Sequence, residues 1–110
     1  MRYNMTKVEE MCGRDEAFIR EITNTFAESI QETIQKIRES LEQENAESIS
    51  YWSHRIKSNL NLFGCQELEV KARTIEEWSA DLVDLKKFCF RFIEDLSELE
   101  EEIRADLSLE

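Results

Sequence analysis

Apolar residues recur at steps of three or four along most of the chain, which is the spacing of one face of an α-helix. The first long line comprises Ile19, Ile22, Phe26, Ile30, Ile34, Ile37 and Leu41. Two later lines comprise Leu68, Ala72, Ile75 and Trp78, and then Leu85, Phe88, Phe92, Leu96, Leu99 and Ile103. Another amphipathic stretch, from Asn45 to about Phe63, lies between the first line and the second. The pattern predicts an all-α protein.

Residues that favour helix ends stand at the edges of these stretches. Asp15 and Asn45 can cap the helices that follow them, and either Asp81 or Asp84 can cap the last helix. Gly64 is well placed as the left-handed residue that follows a helix. Four amphipathic helices with short connections predict an antiparallel up-and-down four-helix bundle.

A short helix is predicted before the bundle. Thr6 and Glu9 have the spacing of a capping box, and Gly13 can close the helix. We expect this helix to cover one end of the bundle.

The composition narrows the fold and the chemistry. The chain has 110 residues, which suits a single domain, predicted at 1–108, with 109–110 interpreted as a possible cloning scar. It contains two glycines and no proline, too few for the turns of a β-sandwich and for the glycine-rich loops that hold nucleotides.

The net charge of −11 disfavours binding to nucleic acids or to anionic membrane surfaces. No apolar run approaches the roughly 20 residues of a membrane span, and the N-terminus does not resemble a secretory signal. The cysteines are Cys12, Cys65 and Cys89, which are widely spaced and form no CxxC pair. We therefore expect a cytoplasmic protein without a disulfide framework or a metal site.

His54 is the only histidine, and helical geometry places it away from the apolar side of its helix. At about 100° per residue, the opposite side carries Ile49, Trp52, Ile56 and Phe63. The same side as His54 carries Glu47, Ser50, Lys57, Ser58 and Asn61. His54 is therefore predicted to be exposed. The residues that follow it on this face offer an ammonium, a hydroxyl and an amide, which can donate hydrogen bonds to an anion but do not withdraw a proton from imidazole.

Such a face suits a phosphorylated imidazole. An exposed neutral imidazole is a competent nucleophile, and phosphoryl transfer needs mainly positioning and charge stabilisation. Lys57 can neutralise the transferred group, and Ser58 can donate a hydrogen bond to it. Tyr51 and Leu62 flank the face, where they are either exposed docking contacts or partly buried at a helix–helix seam.

The segment from His54 to Leu68 resembles the signature of histidine-containing phosphotransfer (HPt) domains. The residues that fit the pattern are His54, Ile56, Lys57, Ser58, Phe63, Gly64, Cys65 and Leu68. The resemblance continues through Ala72, Ile75 and Glu76, where the family shows a small residue, an apolar residue and an acid. Upstream, the residues from Gly13 to Phe18 resemble the family's entry into its long second helix.

The resemblance implies a phosphorelay intermediate. A receiver domain of a response regulator would dock around His54, with Ser50, Tyr51, Ser58, Asn61 and Leu62 as docking residues, and transfer its aspartyl phosphate to the imidazole. A second receiver would then accept the group. The resemblance also implies a hybrid histidine kinase as a partner, Mg²⁺ on the receiver rather than on this chain, and no autokinase activity. We expect a monomer.

One other interpretation remains open at the level of sequence. The chain can be a four-helix docking module for signalling proteins in which His54 is an ordinary surface residue. A di-iron bundle would need Glu-x-x-His motifs on two helices, and one histidine cannot supply them. Acid-labile phosphate on His54, after incubation with a phosphorylated receiver, separates the relay from the docking module.

Overall fold

The computed structural model describes residues 3–79 and 81–109, and within these ranges it contains helices and short connections but no strand. The helices are α1 (Thr6–Cys12), α2 (Glu16–Glu42), α3 (Ala46–Leu62), α4 (Gln66–Glu76) and α5 (Leu82–Ser108). The predicted all-α class is confirmed. Residues 1–2 of the predicted domain and residue 110 of the predicted scar lie outside the described residues.

The helix contacts form a closed cycle around one apolar core. α2 packs against α3 and α5, α3 packs against α4, and α4 packs against α5, while α1 contacts α2. Each predicted apolar line contributes to the core. Its fully buried large side chains include Ile30, Ile37, Ile56, Leu60, Phe63, Ile75, Phe92, Leu96, Leu99 and Ile103. Phe26 of α2 stacks on Phe63 at 4.2 Å between ring centroids, which fixes α2 against the end of α3.

Three of the predicted helix caps are confirmed. The carboxylate of Asp15 accepts a hydrogen bond from the Phe18 N–H at 3.1 Å. The side-chain oxygen of Asn45 accepts one from the Ser48 N–H, also at 3.1 Å. At the last helix the capping residue is Asp81, one of the two candidates. These side chains satisfy N–H groups that a helix leaves unpaired at its start.

The predicted capping box at Thr6 is wrong. Met5 is the N-cap of α1 and makes no side-chain cap hydrogen bond, so Thr6 is already inside the helix. The Thr6 N–H is instead 3.3 Å from the side-chain oxygen of Asn4, whose own N–H donates to the carbonyl of Phe63 at 2.9 Å. This tertiary contact sets where the chain enters α1.

Trp78 was also expected on the apolar line of the fourth helix, but α4 ends at Glu76. Trp78 follows in the connection to α5 and still packs, partly buried, against the core. The helix is therefore shorter than the apolar line predicts, whereas the burial of Trp78 agrees with its place on that line.

The left-handed conformation predicted for Gly64 is confirmed by its φ of +69°. The Gly64 N–H donates to the carbonyl of Asn61 at 3.1 Å, and the Cys65 N–H to that of Leu60 at 2.8 Å. These two bonds form a Schellman motif. A Cβ at position 64 would also lie 2.3 Å from the side-chain nitrogen of Asn4. Glycine is thus required by the backbone conformation and by the close neighbour, in the turn that brings α4 back along α3.

Candidate functional site

His54 lies on the outer side of α3, and 65% of its side chain is exposed. The buried residues of the same helix are Ile49, Ser53, Ile56 and Leu60. The exposure predicted from helical periodicity is therefore confirmed.

A carboxylate from the neighbouring helix meets the imidazole. Glu76 is the last residue of α4, and its Oε1 lies 2.5 Å from Nδ1 of His54. Its Oε2 accepts a hydrogen bond from Nζ of Lys57 at 2.7 Å. A carboxylate has two oxygens that accept hydrogen bonds, so it can serve both groups at once. His54 and Lys57, which lie one turn apart on α3, are thus joined through one residue of α4.

The local charges keep Glu76 ionised. The hydrogen bond from Lys57 lowers the pKa of this carboxyl most strongly, and the hydrogen bond from His54 lowers it further, while partial burial acts in the opposite direction. An ionised carboxylate next to Nδ1 favours the tautomer in which Nδ1 carries the proton. In that tautomer Nε2 has a free lone pair, which is the form of imidazole that attacks an electrophile.

Glu76 is not among the site residues predicted from the sequence. The residues that follow His54 on its own helix include none that withdraws a proton, and the family pattern marks position 76 only as an acid. A usable signal was present. His54 precedes Gly64 by ten residues and Glu76 follows it by twelve, so a tight turn between the two helices at Gly64 brings both residues to a similar height.

Ser50 and Asn61, two of the predicted docking residues, use their polar groups within the chain. The hydroxyl of Ser50 donates to the backbone carbonyl of Glu76 at 3.1 Å. The side-chain nitrogen of Asn61 donates to Glu69 at 2.8 Å, and its oxygen accepts a hydrogen bond from Lys7 at 3.0 Å. Ser50 thus contacts the same glutamate as His54 and Lys57, whereas Asn61 is hydrogen-bonded to residues of α1 and α4.

The other three docking residues differ in exposure. Tyr51 is 57% exposed, and its ring meets that of Trp52 edge-on at 5.3 Å between centroids. Ser58 is exposed one turn after His54, whereas Leu62 is partly buried. Leu62 lines a shallow groove between α2 and α3 together with Phe18. The sequence left open whether these two residues are exposed or partly buried at a helix–helix seam. Tyr51 is exposed to solvent, whereas Leu62 is partly buried at the seam between α2 and α3.

The cysteines lie apart from the site. All three are free thiols, and burial raises the pKa of Cys65 and of Cys89 to about 12. Within residues 3–79 and 81–109, no group of three histidine, cysteine, aspartate or glutamate side chains is arranged to hold a metal ion.

A comparison with protein-family models matches residues 21–106 to the Hpt domain family. The match covers more than half of the chain and includes α3 and α4, so the chain belongs to the Hpt domain family. Domains of this family carry phosphoryl groups on histidine in phosphorelay signalling, interact with receiver domains and are not kinases. Neither the curated proteins nor the solved structures yield a match. No helix in the described part of the chain is long and apolar enough to cross a membrane.

Proposed function

We propose that this chain is a phosphorelay intermediate that accepts a phosphoryl group from an aspartate of one receiver domain on His54 and passes it to an aspartate of another. The observation that carries the proposal is the arrangement around the imidazole. The ring is largely exposed, its Nδ1 is held by an ionised carboxylate, and an ammonium lies one turn away. This arrangement leaves Nε2 as the nitrogen open to a docked partner.

In the forward step, Nε2 of His54 attacks the phosphorus of the aspartyl phosphate in line. A nitrogen–phosphorus bond forms, the bond between phosphorus and the aspartyl oxygen breaks, and the aspartate leaves as a carboxylate. The proton on Nδ1 stays in place, so the phosphorylated ring carries a delocalised positive charge. The carboxylate of Glu76 opposes that charge, which stabilises the phosphohistidine and the transition state that leads to it. The second transfer reverses these bond changes with a new aspartate.

Lys57 supplies the charge that the transferred group needs. Residues three apart on a helix have Cβ atoms about 5–6 Å from each other, so the ammonium can reach phosphoryl oxygens on Nε2. In the unphosphorylated protein this ammonium pairs with Glu76 at 2.7 Å. As negative charge builds up beyond Nε2, the ammonium moves toward it and is shared between the two anions.

The receiver docks on the surface around the imidazole. Its proposed contacts are the exposed residues Tyr51, Ser58 and Asn61, whereas Ser50 and Leu62, which are partly buried at helix–helix seams, border this surface. We place the Mg²⁺ of the reaction on the receiver and assign the chain no autokinase activity. A hybrid histidine kinase is the proposed source of the phosphoryl group.

The proposal extends to the whole chain. The closed cycle of contacts between α2, α3, α4 and α5 supports an antiparallel up-and-down bundle, and we propose that residues 1–108 form a single domain. The free cysteines suit a cytoplasmic location, and the high net charge suits a monomer.

The experiment is phosphate uptake from a panel of phosphorylated receivers. Because the chain has one histidine, acid-labile label that is present on the parent protein and absent from His54→Gln reports His54. We expect the parent to take up label, and His54→Gln to take up none while its helical circular dichroism signal is unchanged. Label that persists in His54→Gln would overturn the assignment. A parent that binds a receiver but takes up no label would instead be a docking module.

A further inference from the structure

Glu76 is held by three residues of one face of α3. Its side chain contacts His54 and Lys57, and its backbone carbonyl accepts the hydrogen bond from Ser50. Of these contacts, only the one from Ser50 involves neither the imidazole nor the ammonium. It is therefore the contact that can fix Glu76 without taking part in the chemistry.

The hydrogen bond from Ser50 matters because Glu76 lies at the end of its helix. Glu76 is the last residue of α4, and α5 begins at Leu82. The final carbonyls of a helix have no partner within the helix, and helix ends fray more readily than helix centres. A carboxylate on such an end keeps a fixed position only if the end itself is tied down. Ser50 bonds this end to α3, the helix that carries His54. The position of the carboxylate relative to the imidazole is therefore fixed.

We propose that Ser50 is a positioning residue, which anchors the end of α4 so that Glu76 holds the proton of His54 on Nδ1. This inference rests on the proposed function, because it concerns how the phosphoryl acceptor is prepared. It differs from a docking role for Ser50, since the hydroxyl acts inward on Glu76 rather than outward on a receiver.

The site is expected to behave differently with and without the hydrogen bond from Ser50 to Glu76. With the anchor in place, the carboxylate stays 2.5 Å from Nδ1, and Nε2 keeps its lone pair. Without the anchor, the end of α4 moves away for part of the time, and the neutral imidazole populates both tautomers. Molecules in the Nε2–H tautomer cannot attack phosphorus, so the observed rate falls in proportion to the competent fraction.

The test compares Ser50→Ala with Ser48→Ala. Ser48 is a matched control because it also lies on α3, is also partly buried, and also makes an interhelical hydrogen bond, at 2.6 Å to Ser40 of α2. The tautomer of His54 is read from the ¹⁵N chemical shifts of the ring at mildly alkaline pH. Phosphate uptake is measured in parallel at several receiver concentrations.

We expect Ser50→Ala to shift the ring toward the Nε2–H tautomer and to slow uptake about 2- to 10-fold, the effect of losing one ordinary hydrogen bond. Ser50→Thr, which keeps a hydroxyl, should restore the parent tautomer. Ser48→Ala should lower the melting temperature to a similar extent and leave the tautomer unchanged.

Three outcomes would overturn the inference. An unchanged tautomer in Ser50→Ala would make the serine a purely structural contact. An unchanged tautomer with a higher receiver concentration at half-maximal rate would make it a docking contact. Equal tautomer shifts in both alanine variants would point to general loosening of α3. If the tautomer shifts as expected but the parent takes up no phosphate, the anchor stands and the proposed function fails.

Discussion

Polar residues lie on both sides of α3, but the two sides are built differently. On the α4 side, Ser50, His54 and Lys57 converge on the single residue Glu76 at distances between 2.5 and 3.1 Å. On the α2 side, each polar residue meets a different partner. These pairs are Ser48 with Ser40 at 2.6 Å, Asn59 with Ser29 at 3.3 Å and Arg55 with Glu32 at 4.0 Å.

Because three residues of α3 contact the single residue Glu76, their contacts depend on one another. Contacts that share one residue are coupled, whereas contacts with separate partners contribute nearly independently. On the α4 side, a change in any member therefore alters the carboxylate that faces His54. On the α2 side, a change should cost a little stability and leave the imidazole as it was. Ser50, Lys57 and Glu76 thus have counterparts of the same chemical type in the α2-side contacts, namely Ser48, Arg55 and Glu32, which can serve as their controls.

The largest expected difference is between the two cations that follow His54. Lys57→Ala removes the ammonium that can reach the phosphoryl group, and we expect transfer to slow by roughly 5- to 150-fold, or about 1–3 kcal/mol. Arg55→Ala removes a guanidinium that lies 5.0 Å from the centre of the Trp52 ring and 4.0 Å from Glu32, and it should leave the rate nearly unchanged.

Rapid-quench measurements at fixed ionic strength check this difference. The defect in Lys57→Ala should be partial, unlike that in His54→Gln, because the nucleophile is still present. A rate within twofold of the parent, with an equal lifetime of the phosphohistidine, would reduce Lys57 to a surface charge.

The second difference is between the two carboxylates. Glu76→Gln removes the charge opposite Nδ1 but also releases Lys57 to the phosphoryl group, so the two effects partly offset each other. We expect a net loss of about 3- to 10-fold in rate, near the 1 kcal/mol of one hydrogen bond. Glu32→Gln should have no effect on transfer. Quench-flow transfer from the same receiver measures both, and a Glu76→Gln protein as fast as the parent would show that the carboxylate does not prepare the ring.

The turns at the two ends of α3 are expected to differ in how much a substitution changes the free energy of unfolding. Both contain a residue with positive φ, which is Glu44 at +53° before α3 and Gly64 at +69° after it. Gly64→Val should destabilise the protein by about 1–2 kcal/mol through its backbone conformation alone, and by more because Asn4 must move. Glu44→Gly relieves strain but makes the unfolded chain more flexible, so the net change should be below about 1 kcal/mol.

Chemical denaturation with circular dichroism measures both variants. A free energy of unfolding for Gly64→Val equal to that of the parent would contradict the structural role of this turn. Because Gly64 directs α4 back along α3, we also expect Gly64→Val to slow transfer to the extent that Glu76 is displaced from His54.

The two sides of α3 also show which parts of the protein could be predicted from sequence. Relations within one helix follow from its fixed rotation, so the exposure of His54 and the burial of Ile56 could be deduced from spacing alone. The caps at Asp15 and Asn45 were predictable for the same reason, since a cap bonds to its own helix.

Relations between helices depend on packing that local patterns do not specify. The contact of Glu76 with His54 needs the turn at Gly64 and the length of α4, and α4 is shorter than the apolar line suggested. The start of α1 was misplaced because Asn4 bonds to the carbonyl of Phe63, which is distant in sequence. The same holds for Asn61, whose amide is bound by residues of two other helices.

The smallest expected difference is in the response of stability to acid. In the folded protein, the pKa of Glu76 is lowered chiefly by the hydrogen bond from Lys57. In the unfolded chain, a glutamate has its ordinary pKa of about 4.3. The contribution of Glu76 to stability is therefore fully present above that value, where the carboxylate is ionised in both states. It is lost as the pH falls further, because the unfolded chain takes up the proton first.

Thermal unfolding of the parent between neutral and acidic pH should thus show a slightly steeper loss of stability than that of Glu76→Gln, with the two curves converging at low pH. The difference should be modest because the pair is partly exposed and screened by water. Glu32→Gln is the control on the α2 side, because it also removes one carboxylate but leaves the contacts of Glu76 with Lys57 and His54 intact. Parallel curves for the parent and Glu76→Gln would mean that the carboxylate gains no stabilisation from Lys57 and His54 in solution.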